Sequence, residues 1–326
     1  MFKQLYNEAT LTLRIEPEGP MLIKAGEGGA DPTRPDMEFV RTIYQGRETI
    51  YLPGSSLKGV IRAHCERLAR TVQPDDVAGE LSKRRLSCDP LHEKISCSQQ
   101  WEKEKEDLAG KAEEIYRRSC FVCRLFGNTR LASRMRVTDA YPDDPERVKT
   151  EERNGVAIDR VFGSVAVGPF NYEVATSGTF TCRIQVRNFT IAQLGLLALA
   201  LRDFEMQRVG VGFAKSRGLG MVKACVTEVA FRYPACTLKE TLTLPGSNKP
   251  GTPPTQLAGA GKFIPGESYG LDDGDSIALP DGVVLTADDW GEPYVTLTDD
   301  AQIKALWREC VKAWRQVVEQ VVGGRW

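Results

Sequence analysis

Two helix-like segments that alternate with strand-like segments constrain the fold of this chain more than any other feature. Apolar residues recur at helical spacing over about residues 55–72 and again after Thr190. Thr190 and Gln193 have the spacing of a capping box, which marks the start of the second helix. Four other segments are predicted as strands: 10–16, 134–140, 179–186 and the stretch that follows the glycines at 210–220. The order is therefore strand, helix, strand, strand, helix, strand.

This order predicts an α+β protein with a ferredoxin-like (RNA-recognition-type) βαββαβ core within residues 1–236. Two insertions interrupt the core, a polar cysteine-rich one at about 75–128 and a projecting hairpin at about 141–178. Residues 237–326 are predicted as an acidic, loop-rich extension that ends in a helix. The order does not select a function, because this fold supports many unrelated activities.

Charge is distributed unevenly along the 326 residues, whose formal net charge is −1. Residues 263–303 hold ten acidic residues and no Lys or Arg, so the rest of the chain carries +9. A basic body with an acidic segment favours a polyanionic partner, and a solvated acidic surface is the alternative. The sequence has no apolar run of about 20 residues and no signal-like N-terminus. We therefore expect a cytoplasmic protein with no membrane partner.

Four of the nine cysteines, Cys88, Cys97, Cys120 and Cys123, lie within 36 residues. An odd number of cysteines without a signal peptide disfavours a disulfide framework. Two cysteines at CxxC spacing can clamp one ion, so these four predict a structural tetrahedral zinc site, with His92 as an alternate ligand. Zinc would also order a polar insertion that has no core of its own. Free reduced thiols are the alternative, and a catalytic zinc is not expected because no His–Glu pair is nearby.

A glycine-rich loop at residues 210–220 combines backbone flexibility with positive charge. Its candidate RNA-contacting residues are Lys215, Ser216, Arg217, Gly218 and Gly220. Glycines let backbone N–H groups approach phosphates, and Lys and Arg supply charge. A purely structural tight turn is the alternative.

The start of the first helix is a second candidate phosphate site. Ser55 or Ser56 is the expected N-cap, and Lys58 and Arg62 lie one turn apart on one face. The alternative is a capped helix with a solvated basic face. Four further arginines either line the same groove or lie on the surface: Arg124, Arg130, Arg134 and Arg136.

Four segments, in their order and spacing, resemble the RAMP superfamily of CRISPR proteins. They are 51–66 (YLPGSSLKGVIRAHCE), 120–127 (CFVCRLFG), 153–174 (RNGVAIDRVFGSVAVGPFNYEV) and 212–222 (GFAKSRGLGMV). Within the superfamily they resemble the backbone subunit of type III effector complexes, which polymerises along a guide RNA and cuts target RNA. The likeness covers about residues 1–231 and leaves 237–326 unassigned.

The resemblance implies guide-RNA contacts by the glycine-rich loop and by the start of the first helix. It also implies a structural zinc and partners that include guide RNA, target RNA, other subunits and copies or paralogues of this chain. The segment at 153–174 resembles a thumb hairpin that folds over the guide and displaces a base. Phe162, Phe170 and Tyr172 are candidate wedges, and tethering of the hairpin to its own core is the alternative for each.

The resemblance also implies that an Asp in the loop after the first strand cuts RNA with Mg²⁺ or Mn²⁺. Asp36 fits that position best, and Asp31 is the alternate. The expected activity is divalent-metal-dependent endoribonuclease action within an assembled complex. One alternative is a structural subunit that only holds the guide. Another is a guide-processing endonuclease, which the two poorly placed histidines, His64 and His92, disfavour.

Overall fold

The computed structural model describes residues 1, 3–26, 35–73, 85–91, 96–99 and 111–323. Its strands are β1 (Glu8–Pro17), β2 (Arg41–Tyr44), β3 (Arg47–Ile50), β4 (Met135–Val137), β5 (Tyr141–Pro142), β6 (Lys149–Ile158), β7 (Val165–Ser177), β8 (Phe180–Arg187), β9 (Val222–Arg232), β10 (Thr237–Leu238), β11 (Leu242–Thr243), β12 (Gln256–Ala258), β13 (Ser276–Ala278), β14 (Thr286–Ala287) and β15 (Pro293–Leu297). Its α-helices are α1 (Gly54–Thr71), α2 (Ala112–Arg118), α3 (Phe121–Phe126), α4 (Ile191–Glu205), α5 (Gly266–Tyr269) and α6 (Asp300–Val322).

A central antiparallel sheet runs in the order β14-β15-β9-β1-β8-β4, and β5 also pairs with β8. The four strands and two helices predicted from the sequence all form, in the chain order β1, α1, β4, β8, α4 and β9. In the sheet these four strands lie side by side in the order β9, β1, β8 and β4, which is the fourth, first, third and second predicted strand. The chain is thus a mixed α/β protein built on antiparallel sheets, and β6 and β7 form a separate two-stranded hairpin.

The core lies between one face of the central sheet and helices α1 and α4. Leu11, Leu13 and Ile15 of β1 are buried, whereas the alternate residue Arg14 is exposed. Leu13 and Ile15 share a small void with side chains of both helices, among them Leu57 of α1. The alternation in β1 therefore selects the face that the helices cover.

Helix α4 is buried on nearly all sides because α6 packs against its outer face. A Cβ atom at Gly195 would lie 2.1 Å from the carbonyl oxygen of Cys310, so the two helix backbones can approach this closely only at a glycine. The predicted C-terminal helix forms, and its buried residues Leu306, Cys310 and Trp314 make up its packing face. The predicted capping box is also confirmed: Thr190 Oγ1 accepts from Gln193 N, and Gln193 Oε1 accepts from Thr190 N.

The predicted N-cap of the first helix is wrong. Helix α1 begins at Gly54 directly after Pro53, so neither Ser55 nor Ser56 caps it. A distant segment sets the start instead, because the Gly54 N–H donates to Asp139 Oδ1 at 2.7 Å. A Cβ at Gly54 would lie 2.4 Å from the carbonyl oxygen of Val137, at the end of β4.

Arg124 and Arg134 are buried, so neither predicted location, groove or surface, is correct for them. Arg124 donates to the carbonyl oxygens of Tyr116, Arg117 and Ser119 at the end of α2. Arg134 donates to the carbonyl oxygen of Arg124 and lies over the Tyr116 ring. Arginine can be buried in this way because carbonyl oxygens satisfy its donors. Arg130 and Arg136 are exposed.

Much of the C-terminal region packs against the core. Strand β15 pairs with β9 in the central sheet, and Leu257 and Ala258 of β12 are buried in the main hydrophobic cluster. Asp275 accepts hydrogen bonds from Ile191 N, at the start of α4, and from Gly261 N. Within the described ranges, no helix has the length and apolar character needed to cross a membrane.

Candidate functional site

The four predicted cysteines converge beneath the start of α3. One Sγ atom from each of Cys88, Cys97, Cys120 and Cys123 lies within 4.8 Å of the others, and all four side chains are buried. Cys120 is the N-cap of α3 and Cys123 lies in its first turn, so the CxxC spacing places two thiols on one side of the helix start. All nine cysteines are free thiols.

The donor set fits a tetrahedral zinc ion. Zn–S bonds of about 2.3 Å require sulfur atoms about 3.8 Å apart, and Cys88 Sγ lies 3.7 Å from Cys123 Sγ. Two backbone N–H groups point at sulfur, Cys120 N at Cys97 Sγ and Cys123 N at Cys120 Sγ, each at 3.3 Å. Such bonds offset the negative charge of four thiolates around one divalent ion. The alternate ligand, His92, lies outside the described residues.

Arg62 also faces the cysteine cluster. Its Nη2 lies 3.6 Å from Cys123 Sγ, its Nη1 donates to Gly127 O at 3.2 Å, and its Nε donates to Glu66 Oε1 at 2.8 Å. One guanidinium therefore joins α1 to the loop that holds the thiols. Lys58, one turn earlier, is half-buried and donates to Ser133 Oγ at 2.8 Å. Partial burial, together with the charge of Arg62, lowers the pKa of Lys58.

The glycine loop, residues 210–220, presents three polar side chains to solvent, and these are Lys215, Ser216 and Arg217. They form a single 3-10 turn between Ala214 and Gly218, both of which have left-handed backbone conformations. Gly218 is exposed and has open space around it, whereas Gly220 is buried.

Glycine is needed at Gly212 and Gly220 for close backbone approach. A Cβ at Gly212 would lie 2.2 Å from Leu22 O, and one at Gly220 would lie 2.2 Å from Val211 O. The loop is fixed to the segment after β1, because Gly220 N donates to Pro20 O and Phe213 N donates to Leu22 O. The glycines therefore have a structural role whatever the loop binds.

Asp36 is exposed and lies beside the middle of β7 in the hairpin β6–β7. Its Oδ2 accepts from the backbone N–H of Asn171 in β7 at 2.8 Å. Met37 N donates to Asn171 O, and Glu173 N donates to Met37 O, so the chain next to Asp36 extends the edge of β7. The alternate, Asp31, lies outside the described residues.

The three predicted wedge aromatics occupy different environments on the hairpin. Phe162, in the turn between β6 and β7, is 83% exposed. The Asp159 carboxylate holds that turn by accepting from Val161 N and Phe162 N. Phe170 and Tyr172 are half-buried, with ring centroids 6.3 Å apart, and Tyr172 packs against the hydrophobic core. Of these three aromatics, Phe162 has the exposure that binding to a partner molecule requires.

A sequence model of the RAMP superfamily matches residues 14–223. The chain belongs to the RAMP superfamily. No curated protein matches the chain. RAMP proteins act in CRISPR-associated ribonucleoprotein complexes with RNA, and this membership supports an RNA-binding role. The matched range contains Asp36, the cysteine cluster and the glycine loop, whereas the region from 237 onward lies outside it.

The RAMP region also contains a tyrosine stack that sequence reasoning missed. Tyr44 and Tyr141 stack with ring centroids 4.4 Å apart and nearly parallel planes, and Tyr51 stacks on Tyr141 at 6.0 Å. All three side chains are half-exposed. Flat aromatic surfaces of this kind can stack with unpaired bases. The three residues come from separate segments, so no local pattern could have revealed the stack.

Proposed function

We propose that this RAMP protein is a guide-RNA-binding backbone subunit of a type III CRISPR effector complex and cuts complementary target RNA. Its partners are guide RNA, target RNA and other subunits, including copies of itself or paralogues. The strand order β9-β1-β8-β4, with α1 and α4 over one face, supports a ferredoxin-like, RNA-recognition-type core.

One observation carries the proposal: backbone hydrogen bonds attach three separate candidate RNA-binding elements to one stretch of chain, described at 20–26 and 35–40. The glycine loop donates to Pro20 O and Leu22 O. The hairpin β6–β7 pairs with Met21 and bonds to Asp36. Val40 O accepts from the N–H of Tyr51, three residues before α1 begins. A nucleic acid strand that follows this stretch would meet all three elements.

Each element has a role that its chemistry suits. Lys215 and Arg217 are exposed cations on a rigid turn and would hold phosphates, together with the backbone N–H groups of the loop. Phe162, at the end of the hairpin, would insert between bases. Ser55 and Lys58 lie on the first turns of α1, although Asp139 already occupies the N–H of Gly54. We therefore assign the stronger phosphate contact to the glycine loop.

Asp36 is the proposed cleavage residue. Its second oxygen, Oδ1, is available because the bond from Asn171 uses Oδ2. A carboxylate oxygen is the kind of ligand that Mg²⁺ and Mn²⁺ prefer, and such an ion would neutralise charge at the scissile phosphate. Within the described residues, the one group of three or more potential ligands is the cysteine cluster. An ion at Asp36 would therefore keep most of its waters.

The cysteine cluster has a structural role in this proposal. Thiolates suit zinc better than magnesium, and four thiols leave no open coordination position for a substrate. Zinc would hold the described parts of the cysteine-rich insertion against α1 through Arg62.

The hydrogen bond from Asn171 also favours a second candidate function, a structural subunit that binds guide RNA without cutting. In that case Asp36 would serve only to fix the hairpin. Guide processing by His64 is disfavoured, because its imidazole is buried and bonded to Asp203 at 2.8 Å.

The test is a cleavage assay with the assembled complex, its guide and a complementary RNA. We expect products at regular spacing, loss of cutting with EDTA, and recovery with Mg²⁺ or Mn²⁺. A complex that binds the target but never cuts it would support the structural subunit instead. Cutting of the guide precursor alone would support guide processing.

A further inference from the structure

A groove lies between α4, the first part of β9 and α6, and its β9 side begins three residues after Gly220 of the glycine loop. Its volume is about 780 Å³, within the range of ligand-binding clefts. Leu199, Met206, Val226 and Trp307 contribute apolar surface, and Met206 is 53% exposed. The other three side chains are half-buried, so the apolar floor of the groove is open to a side chain of a partner.

The rim of this basic groove is positively charged. Six Lys or Arg side chains and two acidic ones line it. Lys304 pairs with both acidic side chains, Glu205 and Asp300. Lys223, Arg308 and Arg315 have no carboxylate partner among the described residues. The groove therefore fits a partner with an apolar anchor and negative charge around it.

This chain itself has an apolar side chain surrounded by negative charge. It lies in the tip loop, residues 288–292, between β14 and β15. Trp290 is 94% exposed, and Asp288, Asp289 and Glu292 surround it. The loop is preformed: Asp288 Oδ1 accepts from Trp290 N and Glu292 N, and Gly291 has a positive φ of 80°. An exposed tryptophan on a rigid turn loses little entropy on binding, which is typical of an interface anchor.

The tip loop cannot reach the groove of its own chain. Tyr294 pairs with Arg232, so the loop lies beyond the last residues of β9. The groove lies at the other end of β9, near Lys223, which is nine residues away and so about 30 Å distant at roughly 3.3 Å per residue. Strand β15 pairs with residues 229–232 of β9, so among the described residues the edge of β9 next to the groove has no strand partner.

We propose that the acidic tip loop of one copy inserts Trp290 into the basic groove of a second copy. The two surfaces lie at different places on the chain, so the interface is head-to-tail and can continue from copy to copy. The inference rests on the proposed assembly of this chain with copies of itself, but it needs no RNA, so it can fail or hold separately from the proposed RNA binding and cleavage. The apolar floor of the groove and the exposed Trp290 favour a protein occupant over RNA.

The experiment measures self-association of the full chain without RNA by sedimentation over a range of concentrations and salt. We expect concentration-dependent growth of the wild-type protein that weakens at high salt. Trp290→Ala should weaken association about thirtyfold or more. The double variant R308E/R315E should do the same. Ile43→Ala, which removes another exposed side chain, should not.

Mixing the two defective proteins tests the head-to-tail geometry. Trp290→Ala keeps its groove and R308E/R315E keeps its tip loop, so the mixture should form one-to-one dimers that do not grow further. A wild-type chain that stays monomeric, or a Trp290→Ala protein that associates normally, would overturn the proposal. The proposal would also be overturned if R308E/R315E lost RNA binding but still self-associated normally. Circular dichroism checks that each variant is folded.

Discussion

The Oδ2 atom of Asp36 accepts a 2.8 Å hydrogen bond from the backbone N–H of Asn171. The candidate cleavage residue is thus bonded directly to the hairpin β6–β7, which carries the exposed Phe162 at its turn. If the hairpin bends RNA, the same strand that moves the base also positions the carboxylate. Loss of the Asp36 side chain would then affect both the charge at the site and the position of the hairpin.

Two substitutions at Asp36 separate these effects. Asp36→Asn keeps an oxygen that accepts from Asn171 but removes the charge, whereas Asp36→Ala removes both. We expect both variants to lose target cutting by about several hundred-fold, because charge stabilisation at a reacting phosphate is worth roughly 3–4 kcal/mol. Only Asp36→Ala should also loosen the hairpin, measured by amide exchange of β7. Normal cutting by Asp36→Asn would indicate that Asp31 or another subunit supplies the cleavage residue. Asp281→Asn, which removes another exposed carboxylate, is the control and should cut normally.

The cysteine cluster should hold one zinc ion per chain. Metal analysis of protein purified without chelator should give one equivalent, and Cys123→Ser should lose it. We expect that loss to lower the free energy of unfolding by more than about 3 kcal/mol, because the ion joins segments that are far apart in sequence and its loss leaves four buried thiols without it. Cys225→Ser, outside the cluster, should keep the metal. Protein that is free of zinc yet equally stable would show that the thiols are not a metal site.

Arg62 should matter more for zinc than for RNA. Its guanidinium faces Cys123 Sγ and Gly127 O, so Arg62→Ala should weaken zinc binding about 10- to 100-fold. Competition with a zinc chelator measures this directly. Arg67→Ala, an exposed arginine on the same helix, is the matched control. If Arg62→Ala reduces RNA affinity and leaves the metal unchanged, the arginine instead binds phosphate.

Charge reversal in the glycine loop should weaken RNA binding and reduce its salt dependence. Lys215→Glu and Arg217→Glu should each remove one cation that neutralises a phosphate. Each substitution should therefore lower the slope of log affinity against log salt by about 0.7 for a single strand, measured by RNA titrations at several salt concentrations. Asp272→Lys, in the acidic segment but outside the tip loop, should change guide binding little. A larger effect from the acidic segment than from the loop would contradict the proposed RNA path.

Asp203 should make stability depend on pH in the acid range. Burial alone would raise its pKa, but hydrogen bonds from His64 and Arg202 hold that pKa below its ordinary value of 3.8. The folded protein therefore binds this proton less readily than the unfolded chain, so the stabilisation is present above about pH 4 and is lost as pH falls further. Urea unfolding should show that Asp203→Asn is less stable at neutral pH and loses less on acidification. If the free energy of unfolding of Asp203→Asn fell with decreasing pH just as it does in the wild type, this role would be contradicted.

Local sequence signals predicted the regular elements well. The capping box at Thr190 and the apolar periodicity of α1 and α4 act through hydrogen bonds and side chains within a few residues, so they are visible without any fold. The cysteine cluster was also predictable, because the CxxC pair lies on one helix start. The N-cap of α1 was not, since Asp139, 85 residues away, supplies the acceptor.

The sequence by itself determined which segments become the four core strands and the two core helices, which residues could ligate zinc, and the RAMP superfamily. Periodicity, capping and ligand spacing are short-range properties, and a family motif is a linear pattern. Only the tertiary structure decided that Arg124 is buried, that Arg62 faces thiols, and that Asp36 bonds to the hairpin. These outcomes depend on which distant backbone groups still lack a hydrogen-bond partner after the sheet and helices have packed. No local sequence pattern indicates which groups those are.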